Sequence, residues 1–204
     1  MKAAASGHTL FDTLIGPCGI AWGLHGIVAV QLPEWVVVGY PTSEERLTSP
    51  TPDAHATRDR MLRELGRPDC VQAALPPPVV CQAIEGIQAL LAGEPRDLRE
   101  VPLDMSRISA FHQQVYAVTR AIAPGCTRTY GDVAQEVGGK GLARAVGQAL
   151  GLNPFAPVVP CHRVLAAGGK TGGFSAGGGA VTKMRMLAIE GVCVGGTLPL
   201  FEAF

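Results

Sequence analysis

Pro160-Cys161-His162-Arg163-Val164 is the stretch from which the rest of the chain is read. A cysteine stands directly before a histidine, at the end of an apolar approach, Pro157-Val158-Val159-Pro160. Proline fixes φ and has no N–H to give to a ladder, so a strand is predicted to end at Pro160. Cys161 then sits at a strand end or turn, where its side chain can face a cleft. A free cysteine is often no more than a small buried hydrophobe. The neighbours argue for chemistry instead. Upstream lie Arg144-Ala145-Val146-Gly147 and Asn153-Pro154, and downstream lie Gly172-Gly173-Phe174-Ser175 and Glu190-Gly191.

A thiol attacks carbon as the thiolate, and at an unperturbed pKa of about 8.5 only a few per cent is ionised at neutral pH. A nearby base and a positive environment raise that fraction. His162 is next in sequence, but alternate residues of an extended segment point to opposite faces, so adjacency does not establish contact. A hydrolase built on this pair would need an oxyanion site and usually a remote histidine, which the adjacent arrangement argues against.

Read in order, Thr129-Tyr130-Gly131, Arg144-Ala145-Val146-Gly147, Asn153-Pro154, Pro160 to Val164, Phe174-Ser175, Lys183 and Glu190-Gly191 form a block from Phe111 to Gly191. This block resembles the O6-alkylguanine-DNA alkyltransferases, the methylated-DNA–protein-cysteine methyltransferases. The resemblance implies an α+β chain. A small N-terminal α+β domain, ribonuclease H-like, would cover residues 1–104. A mostly helical, winged helix-turn-helix-like domain carrying the cysteine would cover 105–204. It implies DNA repair by stoichiometric transfer of a methyl or other alkyl group to Cys161 from O6-alkylguanine, or from O4-alkylthymine, in a base flipped out through the minor groove. Such an enzyme acts once, is inactivated by its own reaction and needs no cofactor.

The resemblance also assigns roles. Cys161 is the acceptor, activated through a relay of water, His162 and Glu190, and Asn153 is a hinge tying the helix-turn-helix to the cysteine segment. Tyr130 crowds the flanking phosphate and protonates the departing base. Val164 reads the guanine amine through its backbone, Phe174 stacks, Ser175 contacts O6 and Lys183 stands near the site. Arg144 fills the space the base leaves, with Thr129, Ala145 and Gly147 also on the DNA. No metal is implied. The partner is double-stranded DNA containing O6-alkylguanine, and the protein is a cytoplasmic monomer, found on the nucleoid when bound. Members that lack the cysteine bind lesions without repairing them, so a non-catalytic lesion-binding module is the competing reading. Three departures stand out: Phe174 where many members have tyrosine, Gly177-Gly178-Gly179 about two residues longer than the common pattern, and a segment over 41–80 without a counterpart.

The composition is compatible with this reading. The chain has 204 residues, 47% hydrophobic and 17% charged, enough for a full core. Its net charge is zero but unevenly spread: residues 1–104 carry eight basic and 13 acidic residues, net −5, and residues 105–185 carry nine and two, net +7. The basic share falls in the half holding Cys161, a pointer to an anionic partner. The six cysteines are scattered, without CxxC or HExxH spacing, and no apolar leader precedes them, which predicts free thiols in a reducing compartment. Cys18 and His25 do not make a four-ligand zinc set. The apolar run Leu14–Leu32 contains four glycines, Pro17, His25 and Gln31, and reads as strands instead of a membrane span.

Short strands are predicted over 11–38, a connector over 41–53, helices at Ala54–Leu65 (capped by Asp53, ended by Gly66) and Val79–Leu91, and one more strand at 98–103. In the second half, helices are predicted at Ser109–Ile122, Asp132–Val137, Leu142–Leu150 and Val181–Ile189. The middle two, joined by Gly138-Gly139-Lys140-Gly141, have helix-turn-helix spacing. Seven glycines in 168–179 suggest a mobile loop over a flat ligand; a phosphate loop is excluded because Val164 stands where its first glycine belongs.

Overall fold

The computed structural model describes residues 6–36 and 50–194. The chain begins as an antiparallel meander of β1 (Gly7–Thr13), β2 (Gly16–Gly23) and β3 (Gly26–Gln31), in the spatial order β1-β2-β3. Gly26 makes the second turn at φ +134, a conformation that strains any side chain, and a Cβ there would meet the Pro102 carbonyl at 2.6 Å. A register shift at Ala21/Trp22 bends β2 against β3.

Helices cover both faces of this sheet. On one, Ala21, Val28 and Ala29 pack against Met61 and Leu62 of α1 (Ala54–Leu65). Small residues let that helix come close: a Cβ on Gly19 would stand 3.0 Å from the Met61 sulfur. On the other face, Ile20, Ile27, Val30 and Leu32 join Ile87, Leu90 and Leu91 of α2 (Pro78–Leu91). Both helices form where their sequences predict. Asp53 caps α1 by accepting from the Ala56 amide at 2.6 Å, and Gly66 ends it at φ +62.

Two expectations about this half need correction. The end of the predicted connector is a strand: β5 (Thr51–Asp53) pairs antiparallel with β4 (Glu34–Val36). Val37, Val38 and residues 41–49 lie outside the described residues. Residues 98–103 are not a strand but turns with an isolated Ile27–Leu103 bridge, held by Ile27 N–H to Pro102 O and Asp104 N–H to Ile27 O, both at 2.8 Å. Pro102 cannot donate, so the ladder does not extend.

The second half is a helical cluster. α3 (Ala110–Arg120), α4 (Tyr130–Val137) and α5 (Ala143–Gly151) pack on one another. Tyr116 ties α3 to α5 by donating to Ala149 O at 2.9 Å. α4 starts two residues earlier than periodicity predicts, because Thr129 and Asp132 form a capping box. The Thr129-to-Asp132 spacing carries that signal, and an apolar-period reading overlooks it. Just before the helix, β6 (Arg128–Thr129) pairs in parallel with β7 (Val164–Leu165), and α6 (Ala180–Ile189) closes the described chain. The halves share one core: Phe155, Val158 and Val164 belong to the same hydrophobic cluster as Ile27, Val30 and Ile87.

Candidate active site

No strand leads into Cys161. Turns occupy residues 156–159, the Ala156–Pro157 peptide is cis, and Cys161–Arg163 form a single 3-10 turn before β7. Two prolines in four residues leave too few donors for a ladder. Asn153 builds the shape instead. Its Nδ2 donates to Val159 O at 2.8 Å and to Cys161 Sγ at 3.4 Å, and its Oδ1 accepts from the Phe155 amide at 3.0 Å. One side chain thus connects the end of α5 to the thiol.

Behind the thiol lies a buried charge cluster. His162 is fully buried, and its Nε2 is 2.9 Å from Glu190 Oε1 at the end of α6. Arg163 donates to both oxygens of Glu190, Nε at 2.9 Å to Oε2 and Nη2 at 2.8 Å to Oε1, while its Nη1 donates to Ile122 O at 2.6 Å. Burial works against the Glu190 charge, but hydrogen bonds from His162 and Arg163 outweigh it and bring the carboxyl down to about 2. For His162 burial dominates: its pKa is lowered despite Glu190, with Arg163 and Lys183 acting in the same direction. The ring is therefore neutral near pH 7. With Nε2–H given to the carboxylate, Nδ1 is left as the acceptor, and it is buried without a hydrogen-bond partner among the described residues.

The Cys161 thiol is pushed up by burial and eased down by the Asn153 hydrogen bond, the Lys183 charge and the backbone amides of Cys161 and His162. Lys183 is fully buried and donates to two carbonyls, Val164 O at 2.6 Å and Gly173 O at 3.5 Å. Burial lowers it to about 8, and a Cys161 thiolate would raise it. The thiolate is thus the counter-charge this ammonium wants. Lys183 also lies 5.7 Å from the centroid of Tyr130, whose hydroxyl donates to Gly173 O at 3.4 Å.

In front of the thiol is a groove of about 790 Å³. Thr129, Tyr130, Arg144, Gly147, Phe174, Ser175 and Cys161 are among the residues that line it. Of the residues expected to touch DNA, Ala145 does not line it; Ala143, Arg144, Gly147, Gln148 and Gly151 do. Those positions share one helical face, and Ala145 is turned roughly 100° from Arg144. Gln148, not among the residues the resemblance assigns, is reached by that periodicity. Arg163 has no role in the resemblance; the signal for it in the sequence is a cation beside a histidine that awaits an acid. Val164 lies behind the groove, buried in the core, and offers its carbonyl to Lys183.

The arrangement is one nucleophile in a groove, backed by a neutral base, a locked carboxylate and a buried cation. Comparison with known proteins gives the family. The family model for the DNA binding domain of 6-O-methylguanine DNA methyltransferase matches residues 110–192. The methylated-DNA–protein-cysteine methyltransferase of Mycolicibacterium paratuberculosis is 39% identical over 150 residues, 74% of this chain and 88% of that one. A DNA base-flipping protein of Thermus thermophilus is 39% identical over 107 residues, 52% of this chain and 70% of its own. The structure of Mycobacterium tuberculosis OGT in complex with DNA superposes with a TM-score of 0.62 at 29% identity, over 90% of this chain and 91% of that one. On its 39% identity to the first of these relatives over most of both chains, the chain belongs to the methylated-DNA–protein-cysteine methyltransferase family.

Proposed function

We propose that Cys161 takes an alkyl group from O6-alkylguanine in duplex DNA, once per molecule, as a repair methyltransferase. The observation that carries this is the buried Arg163–Glu190–His162 cluster set behind a thiol at the bottom of a groove flanked by Arg144. His162 Nδ1 receives the thiol proton through a water, Glu190 holds the imidazole as the Nε2–H tautomer, and Lys183 steadies the thiolate. The sulfur attacks the alkyl carbon, the C–O6 bond breaks, and the guanine leaves as its anion to be protonated by Tyr130. Ser175 contacts the base through its backbone and Phe174 stacks on it, while Val164, whose carbonyl accepts from Lys183 behind the groove, is not given the base-reading role that the resemblance implies. The test is intact mass after incubation with O6-methylguanine duplex: one methyl gained on Cys161 supports transfer, and binding without gain favours the lesion-binding module.

The target atom is inside the stack, so the base must leave it, at a cost of a few kcal/mol. Arg144 is exposed on the groove face of α5, where it can occupy the vacated space. Arg144→Ala is expected to slow repair of duplex DNA by at least about tenfold while reaction with free O6-alkylguanine base changes little. Equal losses on both substrates would assign Arg144 to the pocket.

The finer fold reading belongs here as well: residues 1–104 as a ribonuclease H-like domain and 105–204 as a winged helix-turn-helix-like domain. The meander with its helices and the α3–α4–α5 cluster support it. The helix carrying Arg144 has small residues and few groups for reading base edges, which favours minor-groove docking with weak sequence preference. Binding of the full chain should fall with salt, with a log–log slope equivalent to only about three phosphates; a salt-independent affinity would remove the electrostatic basis of this reading. No helix among the described residues is long and apolar enough to cross a membrane, and a cytoplasmic monomer remains our reading.

A further inference from the structure

Helix α1 lies in the segment for which the resemblance offers no counterpart, yet it reaches the site. Arg60 projects from it as a fork. Nε donates to Glu64 Oε1 at 2.8 Å, Nη1 to Glu34 Oε1, and Nη2 to the carbonyl of Ser175 at 2.5 Å, a residue 115 positions away. Among the described residues, this is the hydrogen bond that Ser175 makes.

Both partners of that contact are held. Thr57, one turn before Arg60, accepts from the Glu34 amide at 2.9 Å and donates to Asp53 O at 2.7 Å, so helix and β4 are fixed together. The loop touches the same strand at a second point: a Cβ on Gly177 would lie 2.4 Å from Pro33 O and 2.9 Å from Glu34 Cα. Its ends are tied within the other half, by Lys183 to Gly173 O and by Thr182 Oγ1 to Gly177 O at 2.5 Å. Its middle, Phe174 to Ala176, is held to the N-terminal half through the Arg60–Ser175 hydrogen bond. Those residues also wall a second cavity of about 390 Å³ on the α1 side of Cys161, with Arg60 and Met61 opposite them.

We propose that Arg60 is a positioning residue for alkyl transfer: its fork, anchored on Glu34 and Glu64, fixes the Ser175 carbonyl and so sets how closely Phe174 and Ser175 hold the base against Cys161. The inference rests on the transfer reading above. Arg60 does not touch the reacting atoms; it acts through the loop. A guanidinium suits the task because three acceptors in three directions need its planar fork, which an ammonium lacks.

Single-turnover transfer from O6-methylguanine duplex tests this. Arg60→Ala is expected to lower the rate at saturating DNA by about tenfold or more, since small misplacements at a reacting centre are costly. Affinity for undamaged duplex should stay within about twofold, because phosphate contacts lie on the other half. Methylguanidinium in the buffer should restore part of the rate in Arg60→Ala. It should restore none in Gly177→Ala, where a methyl pushes the loop from Pro33 and the guanidinium is still present. Should Arg60→Ala fold poorly, Glu34→Gln, which removes one anchor without changing shape, must itself slow the saturated rate severalfold. A wild-type rate in Arg60→Ala or in folded Glu34→Gln overturns the proposal. So does a loss that methylguanidinium leaves untouched and that undamaged-DNA affinity follows equally. If the wild-type chain gains no alkyl mass on Cys161 from any substrate, the transfer reading fails and this inference with it.

Discussion

Cys161→Ala is expected to bring alkyl transfer below detection while affinity for lesion-bearing duplex stays within about twofold, or ~0.4 kcal/mol. The asymmetry follows from what the sulfur does. It is the acceptor atom, yet only 5% of the residue is exposed and it contributes no charge to the phosphates. Losing it costs Asn153 one weak hydrogen bond, and the same Nδ2 keeps Val159 O. The check is peptide mapping of the wild-type chain and the variant after incubation with methylated duplex, beside a binding titration. The other five cysteines provide an internal control. Burial pushes Cys18 up to about 12, so it stays a thiol, and Cys126 and Cys193 are exposed. A methyl found on any of these, with Cys161 unmodified, would show that the acceptor has been misassigned.

The second large effect concerns Arg163. Arg163→Leu removes the cation that donates to both oxygens of Glu190 and leaves a buried carboxylate with His162 and the Gly125 amide, the latter at 3.2 Å. Breaking one partner out of a buried pair typically costs roughly 3–5 kcal/mol. The pH dependence has a defined sign. In the wild-type fold Glu190 is held at about 2, below its ordinary value of 4.5, so it adds stability above pH 4.5 that disappears as pH falls toward 2. Without Arg163 the carboxyl rises, and acid unfolding should begin at higher pH. The same rise draws a proton toward the Glu190–His162 pair, so transfer should slow even where the variant is folded. Urea unfolding from pH 3 to 8, with transfer rates over the folded range, measures both. An unchanged acid transition would mean that the Arg163–Glu190 pair carries no net stabilisation.

The legible part of this molecule is the part written in local signals. Asp53 and Gly66 bracket α1 because caps act over one turn, and the spacing of Phe111, Val115 and Val118 gives α3 because Val115 is buried and the other two pack against the same core. The candidate site was legible for another reason: its residues are of distinctive types at fixed spacings. What escaped reading depends on partners far away in sequence. Residues 98–103 looked like a strand, but whether an apolar run joins a ladder is decided by the edge it meets, here one bridge at Ile27. Cys161 looked like a strand end, whereas Asn153 imposes a turn. The Arg60–Ser175 contact is unreadable because its partners are 115 positions apart, and the Arg163–Glu190 pair, 27 positions apart, is hinted at only by the neighbouring histidine.

The edge of β3 bears on inheritance. Val30 donates to Pro154 O at 2.8 Å and bridges Phe155, immediately after the asparagine that shapes the cysteine turn. The acceptor half therefore borrows a backbone donor from the meander. A chimera joining residues 105–204 to a relative's first half would have to bring a strand that presents the same donor at the same height, or lose the turn that aims the thiol. Exchange of one half without the other is therefore expected to preserve the thiol's setting only where the incoming strand carries that donor.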